Sequence, residues 1–261
     1  MHDHTKLTQD RIGHLKERLE REITQKICPL QVTAWQVPGE PVSFAEATAA
    51  SYQPFPPGTW WGAPWSTWWL HVTGTLPASH VDEEIDLSMD LGFVGDWAGN
   101  QAEAMVYTPA GRPLKALNPR NHRIGLNHGA LAARFAAQGE PLIGADGDVE
   151  LWVEAAGNPD MTQHLAEPTE LGDRHTAGHE PLWQFKAAEL SVRRNEVWGL
   201  WLDIDVLDGL MRQLPADSTH RARLLYGLEQ AADEVDRHGI IAGAEPARQI
   251  LARYLDSGAN S

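Results

Sequence analysis

The spacing of hydrophobic positions changes twice along this chain and divides the sequence into three segments. In the first segment, apolar residues recur every three or four positions among charged ones, which predicts an amphipathic helix over residues 8–27. Pro29 ends the pattern, because proline lacks the amide hydrogen that a helix uses. We expect the apolar stripe to pack on the sandwich that follows or on a neighbouring domain. The stripe consists of Ile12, Leu15, Leu19, Ile23 and Ile27.

In the second segment, residues 31–194, apolar and polar positions alternate with the period of β-strands. The alternation is strictest in residues 85–91 and 149–155. Turn-forming pairs such as Pro38-Gly39 separate the candidate strands. Several short strands spaced in this way predict a mainly β domain, an antiparallel β-sandwich of the jelly-roll type. Further strands are predicted at residues 31–37, 68–76, 104–107, 122–126 and 183–192.

In the third segment, residues 195–261, the apolar residues return to helical spacing. Helices are predicted over residues 197–214, from a cap at Ser218 or Thr219 onward, and over residues 243–255. The expected organisation is therefore an N-terminal helix within residues 1–30, a sandwich domain and a C-terminal helical segment.

Charge and composition narrow the classes of partner. The 261 residues carry 36 acidic and 21 basic side chains, a formal net charge of −15. Such a surface repels nucleic acid and anionic membranes, and no apolar run reaches the ~18 residues of a membrane span. Cys28 is the one cysteine, which argues against a disulfide framework or a thiolate zinc site. We expect a cytoplasmic protein without nucleic-acid or membrane partners, and sugars remain suitable ligands.

Five of the eleven tryptophans lie within ten residues, between Trp60 and Trp69. Each indole is large and carries an N–H that needs a hydrogen-bond partner when buried. We favour packing of this block inside the domain or against another domain, because aromatic side chains are enriched at interfaces. The alternative is that Trp60, Trp61 and Trp97, in predicted loops, form a platform on which sugar rings stack.

Three stretches, taken together in their order and spacing, carry a resemblance to a known family. They are the tryptophan block, the strand–turn–strand region 101–124 with its Glu103-x-x-Val106-Tyr107 pattern, and residues 153–158 followed by 188–190 and 198–215. They resemble the region before the catalytic barrel in family 38 glycoside hydrolases, the α-mannosidases of the bacterial and fungal vacuolar type.

The resemblance implies a non-catalytic, structural and interdomain module of an α-mannosidase. The full-length form would hydrolyse α-mannosides with zinc or another divalent metal held by a Gly-His-x-His-x-Asp-x-Ala-Trp motif, which this sequence lacks. We therefore expect a fragment that is not itself an enzyme and has no cofactor of its own. Its expected partners are the catalytic barrel of the same polypeptide, a second copy of the chain and mannose-containing glycans. The alternative function is a stand-alone carbohydrate-binding module that uses the loop tryptophans.

Two groups of histidines have the spacing of metal ligands in an unsuitable context. His80-Val81-Asp82 has a His-x-Asp spacing but no Ala-Trp after it, so we expect a charged turn. His175 and His179 are separated by three residues, a spacing that suits zinc on a helix. The neighbouring glycines disfavour a helix. We expect these two residues and His164 to belong to a solvated loop, and we predict no metal site.

Paired carboxylates could in principle serve glycoside hydrolysis. Asp86 and Asp90 share one strand face, as do Glu150 and Glu154, but that face of an antiparallel sheet is usually the solvated one. We therefore expect no independent catalysis by this chain. The remaining candidate carboxylates are Glu103, the turn pair Asp146 and Asp148, and the pair Asp203 and Asp205, which is expected at a helix start.

Overall fold

The structure is a computed structural model that describes residues 5–95, 97, 99, 101–159 and 170–255. The chain divides into two compact units. The β unit comprises residues 26–192, and the helical unit comprises the residues up to 25 together with those from 193 onward. The N-terminal helix therefore belongs to the same unit as the C-terminal helices.

The described part of the chain contains antiparallel sheets, an N-terminal helix and C-terminal helices, which confirms the predicted fold class. The strands are β1 (Thr24–Pro29), β2 (Gln31–Gln36), β3 (Gln53–Pro54), β4 (Trp60–Trp61), β5 (Ser66–Thr75), β6 (Ile85–Asp90), β7 (Glu103–Tyr107), β8 (Pro113–Leu117), β9 (Arg123–Gly125), β10 (Asp148–Gly157), β11 (Trp183–Gln184) and β12 (Ala187–Arg193). The α-helices are α1 (Thr5–Glu22), α2 (Phe44–Thr48), α3 (Gly129–Ala137), α4 (Asn195–Gln213), α5 (Thr219–His238) and α6 (Ile240–Leu255).

Two larger sheets and one short ribbon build the β unit. The six-stranded sheet has the order β3-β2-β5-β10-β7-β8, and the four-stranded sheet has the order β1-β12-β6-β9. The two ten-residue strands β5 and β10 pair along their whole length, with Leu70 opposite Val153 and Val72 opposite Leu151. These side chains and those of Leu87 on β6 belong to one buried core to which both sheets contribute. Alternation along each strand supplies this core, as a sandwich requires.

The opposite face of the six-stranded sheet carries an aromatic layer. Trp69 and Trp152 are buried there, and Phe44 of the short helix α2 packs edge-on against both rings. The Ser43 hydroxyl caps α2 by accepting a hydrogen bond from the Glu46 amide. Tyr52 also packs edge-on against Trp152. Much of the face that strict alternation would leave in water is therefore covered by the segment between β2 and β3.

The predicted first helix continues too far along the sequence. In the structure α1 ends at Glu22, and strand β1, which lies beside β12, begins at Thr24. Ile23 and Ile27 continue the helical spacing by coincidence, and their β-branched side chains favour a strand. Ile23 is buried among the helices, whereas Ile27 packs on the sandwich core.

The helical unit is held together by an apolar core and by charged groups around it. The stripe of α1, formed by Ile12, Leu15 and Leu19, lies in one cluster with Leu200 of α4 and Leu228 of α5. The Ser218 hydroxyl caps α5 by accepting a hydrogen bond from the Arg221 amide. No helix in the described ranges is both long enough and apolar enough to cross a membrane.

An ion-pair network joins α1 to α5. Arg11 contacts Asp233 and Asp236, each at 2.7 Å, and Arg18 contacts Asp236 at 2.8 Å. Hydrogen bonds donated by Arg18 and Arg11 lower the pKa of Asp236 below its ordinary value, and the hydrogen bonds that Arg11 donates to Asp236 and Asp233 raise the pKa of Arg11. The side chain of Asp236 is 41% exposed, so solvent screens the interaction.

We expect Asp236→Asn to lower the stability of the helical unit by less than about 1 kcal/mol at neutral pH. A carboxylate whose pKa is lowered in the folded state stabilises the fold above its unfolded pKa, and this contribution is lost as the pH falls through the folded pKa. The cost of the substitution should therefore shrink between about pH 7 and about pH 3. Urea unfolding of both proteins at the two pH values measures it. If Asp236→Asn lowered the stability by the same amount at both pH values, the stabilising role of the charged Asp236 carboxylate would be contradicted.

Candidate functional site

The three predicted platform residues have different environments. Trp60 and Trp97 are each 57% exposed, Trp60 in β4 and Trp97 in the loop after β6. Trp61 is fully buried, and its indole Nε1–H donates to the carbonyl oxygen of Leu91 at 2.7 Å. Its ring presents no face to a ligand, because the strand alternation that exposes Trp60 turns Trp61 into the core. Only Trp60 and Trp97 of this set are available to solvent.

The two tryptophans of strand β5, Trp68 and Trp69, pack inside the β unit. Trp69 lies in the aromatic layer, with its ring centroid 5.4 Å from that of Tyr107. Trp68 packs against the core beside Phe55 and Trp61. The indole nitrogens of Trp68 and Trp69 are buried without a hydrogen-bond partner in the described residues, contrary to the expectation that each N–H finds one. Ring packing therefore dominates at these two positions.

Trp65 is the remaining member of the tryptophan block, and its backbone conformation is unusual. It has φ = 63°, the only positive value at a non-glycine residue among those described. A non-glycine residue in this region costs about 1–3 kcal/mol, and such strain is concentrated at functional sites. The conformation is fixed by the Trp65 amide, which donates to the Gly157 carbonyl at 2.8 Å. Gly157 permits this approach, because a Cβ there would lie 2.7 Å from the Ala63 oxygen.

The Trp65 side chain is anchored at one edge and 43% exposed. Its Nε1–H donates to the carbonyl oxygen of Leu171 at 2.9 Å, which leaves the faces of the ring without a role in that bond. Leu171 precedes a turn that Asp173 folds by accepting a hydrogen bond from the His175 amide. The Thr176 hydroxyl closes the same turn by donating to the Glu170 carbonyl.

Trp65 lines two adjoining clefts of the β unit. The larger has a volume of about 720 Å³ and the smaller about 450 Å³, both within the usual range for ligand sites. An ion pair between Arg174 and Glu40 borders both clefts. His175 and His179 line the larger cleft, whereas His164 lies outside the described residues. The larger cleft is lined by Gln36, Val37, Gly39, Glu40, Ala63, Pro64, Trp65, Ser66, Arg174, His175, Gly178 and His179.

The carboxylates of β10 take part in local pairs on the outer sheet face. Glu150 lies 2.9 Å from His71 Nε2, and the His71 ring stacks on Trp152 with centroids 4.0 Å apart. Glu154 accepts a hydrogen bond from the Tyr107 hydroxyl at 2.9 Å. Burial, followed by the interaction with Glu154, raises the pKa of Tyr107 to about 12. These pairs join neighbouring strands of the sheet.

The two carboxylates of β6 differ in their exposure: Asp90 is partly exposed, whereas Asp86 is buried. Asp86 is 3% exposed, and its Oδ1 accepts a hydrogen bond from His128 Nε2 at 2.8 Å. Its other oxygen, Oδ2, is buried without a hydrogen-bond partner in the described ranges. Asp90 accepts hydrogen bonds from the amides of Gly92 and Phe93 and thereby folds the turn after β6. The prediction of a solvated face was wrong for Asp86, because His128 at the start of α3 covers it.

The remaining candidates lie in separate parts of the chain, and most of them contact a basic or hydroxyl side chain. Asp203 and Asp205 lie within α4 rather than at its start, which corrects the prediction, since the helix begins at Asn195. Arg248 contacts Asp203, and Lys16 contacts Asp205. Asp148 accepts a hydrogen bond from Thr75. His80 contacts Glu83 in a short helical turn, and Glu103 is exposed at the start of β7.

In the described part of the chain, no group of three or more histidine, cysteine, aspartate or glutamate side chains could hold a metal ion. The described residues therefore offer no set of ligands that fits a catalytic divalent metal.

Two packed antiparallel sheets with a common core place the β unit in the class of β-sandwich domains. Residues 28–191 match the family model described as the α-mannosidase jelly roll domain, and the chain belongs to this family. One relative is human α-mannosidase 2C1, which is 23% identical over 209 residues. The match covers 80% of this chain and 18% of the human protein, so the chain spans less than a fifth of that relative's length.

The comparisons confirm the predicted relation to α-mannosidases at the level of the jelly-roll domain. The tryptophan block, the strands around Val106 and strand β10 all lie inside the matched range. Sequence reasoning did not select Trp65 as a candidate, although it belongs to the block. Its positive φ arises from a hydrogen bond to a distant strand, which no local pattern indicates.

Proposed function

We propose that this chain is a non-catalytic, structural module of a family 38 α-mannosidase of the bacterial and fungal vacuolar type. The observation that carries the proposal is the match of the whole sandwich, residues 28–191, to the jelly-roll domain of α-mannosidases. In this proposal the catalytic barrel is a further part of the same polypeptide and holds zinc or another divalent metal. The metal would bind sugar hydroxyls there, and carboxylates of the barrel would attack and protonate the glycosidic bond.

The contacts of the described acidic residues support a structural role. Glu150 and Glu154 of β10 pair with His71 and Tyr107, and Asp90 accepts hydrogen bonds from two backbone amides. A retaining glycosidase needs two carboxyl groups that face each other across roughly 5 Å of open site. We include a cytoplasmic location and association with a second copy of the chain in the proposal.

Activity measurements test the proposal directly. An aryl α-mannoside is incubated with the 261-residue chain and with the full-length product of its gene, each with zinc or cobalt added. We expect hydrolysis by the full-length product alone. Hydrolysis by the 261-residue chain, at a rate above that of a heat-denatured sample, would overturn the proposal. Circular dichroism of the chain confirms that the inactive sample is folded.

The second candidate function is a carbohydrate-binding module in which Trp60 and Trp97 contact sugars. The observation in its favour is the exposure of both rings to solvent. Loss of sugar binding in Trp60→Ala or Trp97→Ala would support this candidate.

A further inference from the structure

We propose that the two clefts beside Trp65 form a binding site for a neutral oligosaccharide, with one sugar ring stacked on the exposed indole face. This inference goes beyond the proposed structural role, which requires no ligand in this domain. It also concerns a residue different from Trp60 and Trp97.

The Trp65 ring is anchored at its N–H edge and partly exposed. Its N–H is already bonded to the Leu171 carbonyl, so the ring edge is fixed while the side chain remains 43% exposed. The electron-rich face of an aromatic ring attracts the polarised C–H groups of a pyranose, and a preorganised ring loses little entropy when a ligand binds. Trp65 thus has the features of a stacking platform.

Trp65 occupies a backbone position that suits glycine. With φ = 63°, Trp65 adopts a conformation that residues with a side chain disfavour. A glycine occurs nearby, at Gly62, yet residue 65 itself is a tryptophan. Glycine would adopt the same turn with less strain but could not donate to the Leu171 carbonyl, so this bond gives one edge of the ring a role in the fold. Stacking on a ligand gives the exposed faces of the ring a second role.

Polar side chains line the larger cleft together with the Trp65 ring. Arg174, Glu40, Gln36 and His175 line the larger cleft with Trp65. Planar side chains that offer both donors and acceptors match adjacent sugar hydroxyls, which are donors and acceptors at once. A cleft with one aromatic face and a few convergent polar groups is typical of small-ligand sites.

The geometry and the charge define the class of sugar. Trp65 and the Arg174–Glu40 pair border both clefts, so a ligand that contacts them extends from one cleft into the other. This arrangement fits an oligosaccharide better than a single sugar. Glu40 neutralises Arg174, and the chain has a net charge of −15, so anionic sugars are disfavoured.

Calorimetric titration of the 261-residue chain with an α-linked mannotriose tests the site, with a uronic acid trisaccharide as the charged comparison. We expect a dissociation constant in the micromolar-to-millimolar range for mannotriose and weaker binding of the charged trimer. Trp65→Gly removes the ring together with its bond to the Leu171 carbonyl, and it keeps the turn at residue 65 because glycine accepts a positive φ. This variant should lower the affinity at least about tenfold, the scale of stacking lost from an aromatic platform.

Matched variants separate the site from the exposed tryptophans elsewhere. Trp60→Ala and Trp97→Ala distinguish this site from the second candidate function: binding beside Trp65 leaves their affinity for mannotriose unchanged, whereas binding on Trp60 or Trp97 lowers it. Trp65→Tyr should retain part of the affinity because it keeps an aromatic face. Thermal melting of each variant establishes that it is folded. Three results would overturn the proposal: no binding of mannotriose up to tens of millimolar, unchanged binding in folded Trp65→Gly, or equal or tighter binding of the uronic acid trimer. None of them bears on whether the full-length product hydrolyses mannosides.

Discussion

Replacing Trp61 by alanine should lower the free energy of unfolding of the β unit by about 3–5 kcal/mol. The side chain is fully buried in the sandwich core and packs edge-on against Trp68, with ring centroids 6.3 Å apart. Truncation removes this packing and leaves a cavity. It also leaves the Leu91 carbonyl, which now accepts the indole N–H, without that donor. Both losses occur at one site, so the effect should be large.

The neighbouring residue provides a matched control for this prediction. Trp60 has the same side chain in the same strand but is 57% exposed, so Trp60→Ala should change stability by no more than about 0.5 kcal/mol. Trp61→Phe keeps most of the apolar volume and loses the hydrogen bond, so it should fall between the two alanine variants. Urea unfolding followed by circular dichroism measures all three. Hydrogen exchange in β5 and β10 assigns the transition to the β unit. Equal costs for the two alanine variants would contradict the burial of Trp61.

The alternation of apolar residues was sufficient to predict the sandwich but not every residue within it. Strands β6 and β10 follow the predicted ranges closely, because each has one face in the common core. The predicted strand over residues 183–192 is two strands, β11 and β12, which pair with β4 and β6. A single apolar run cannot indicate that its two parts pair with different partners.

The conformation of Trp65 could not be predicted for a similar reason. The local sequence Gly62-Ala63-Pro64-Trp65 indicates a turn, but the positive φ depends on the bond from the Trp65 amide to Gly157. That partner lies 92 residues away in the sequence, at the end of β10. The cleft likewise combines residues of three separate segments, around Glu40, Trp65 and Arg174. Sequence patterns locate the tryptophan block, whereas the site depends on the tertiary structure.

The burial of Asp86 is the clearest departure from the strand pattern. Alternation places Asp86 opposite the core face of β6, and the structure covers that position with His128, the residue that precedes α3. Helix α3 was not predicted, because nine residues rich in alanine show no helical period strong enough to separate them from a loop. A buried charge within a strand thus indicates that another element packs on the second face of the sheet.

Removing His128 should therefore destabilise the β unit by about 3–5 kcal/mol. The side chains of Asp86 and His128 are 4% and 14% exposed, and Oδ2 of Asp86 already lacks a partner in the described residues. His128→Ala leaves both carboxylate oxygens buried without the donor that the structure provides. Asp86→Asn removes the charge and keeps an acceptor oxygen for the His128 N–H, so it should cost less. In the double variant His128→Ala/Asp86→Asn the unpaired charge is absent. The stability cost of the double variant should therefore be smaller than the sum of the two single costs by at least about 1 kcal/mol.

A second histidine–carboxylate pair in the same unit provides the control. His80 lies 2.5 Å from Glu83, but the Glu83 side chain is 45% exposed, so His80→Ala should cost less than about 1 kcal/mol. Salt should reduce the contribution of the exposed pair and leave that of Asp86 and His128 nearly unchanged, because buried charges are screened less. Urea unfolding at low and high salt compares the two pairs. A cost of His128→Ala as small and as salt-sensitive as that of His80→Ala would show that Asp86 is solvated, and the packing of α3 on the sheet would then be wrong.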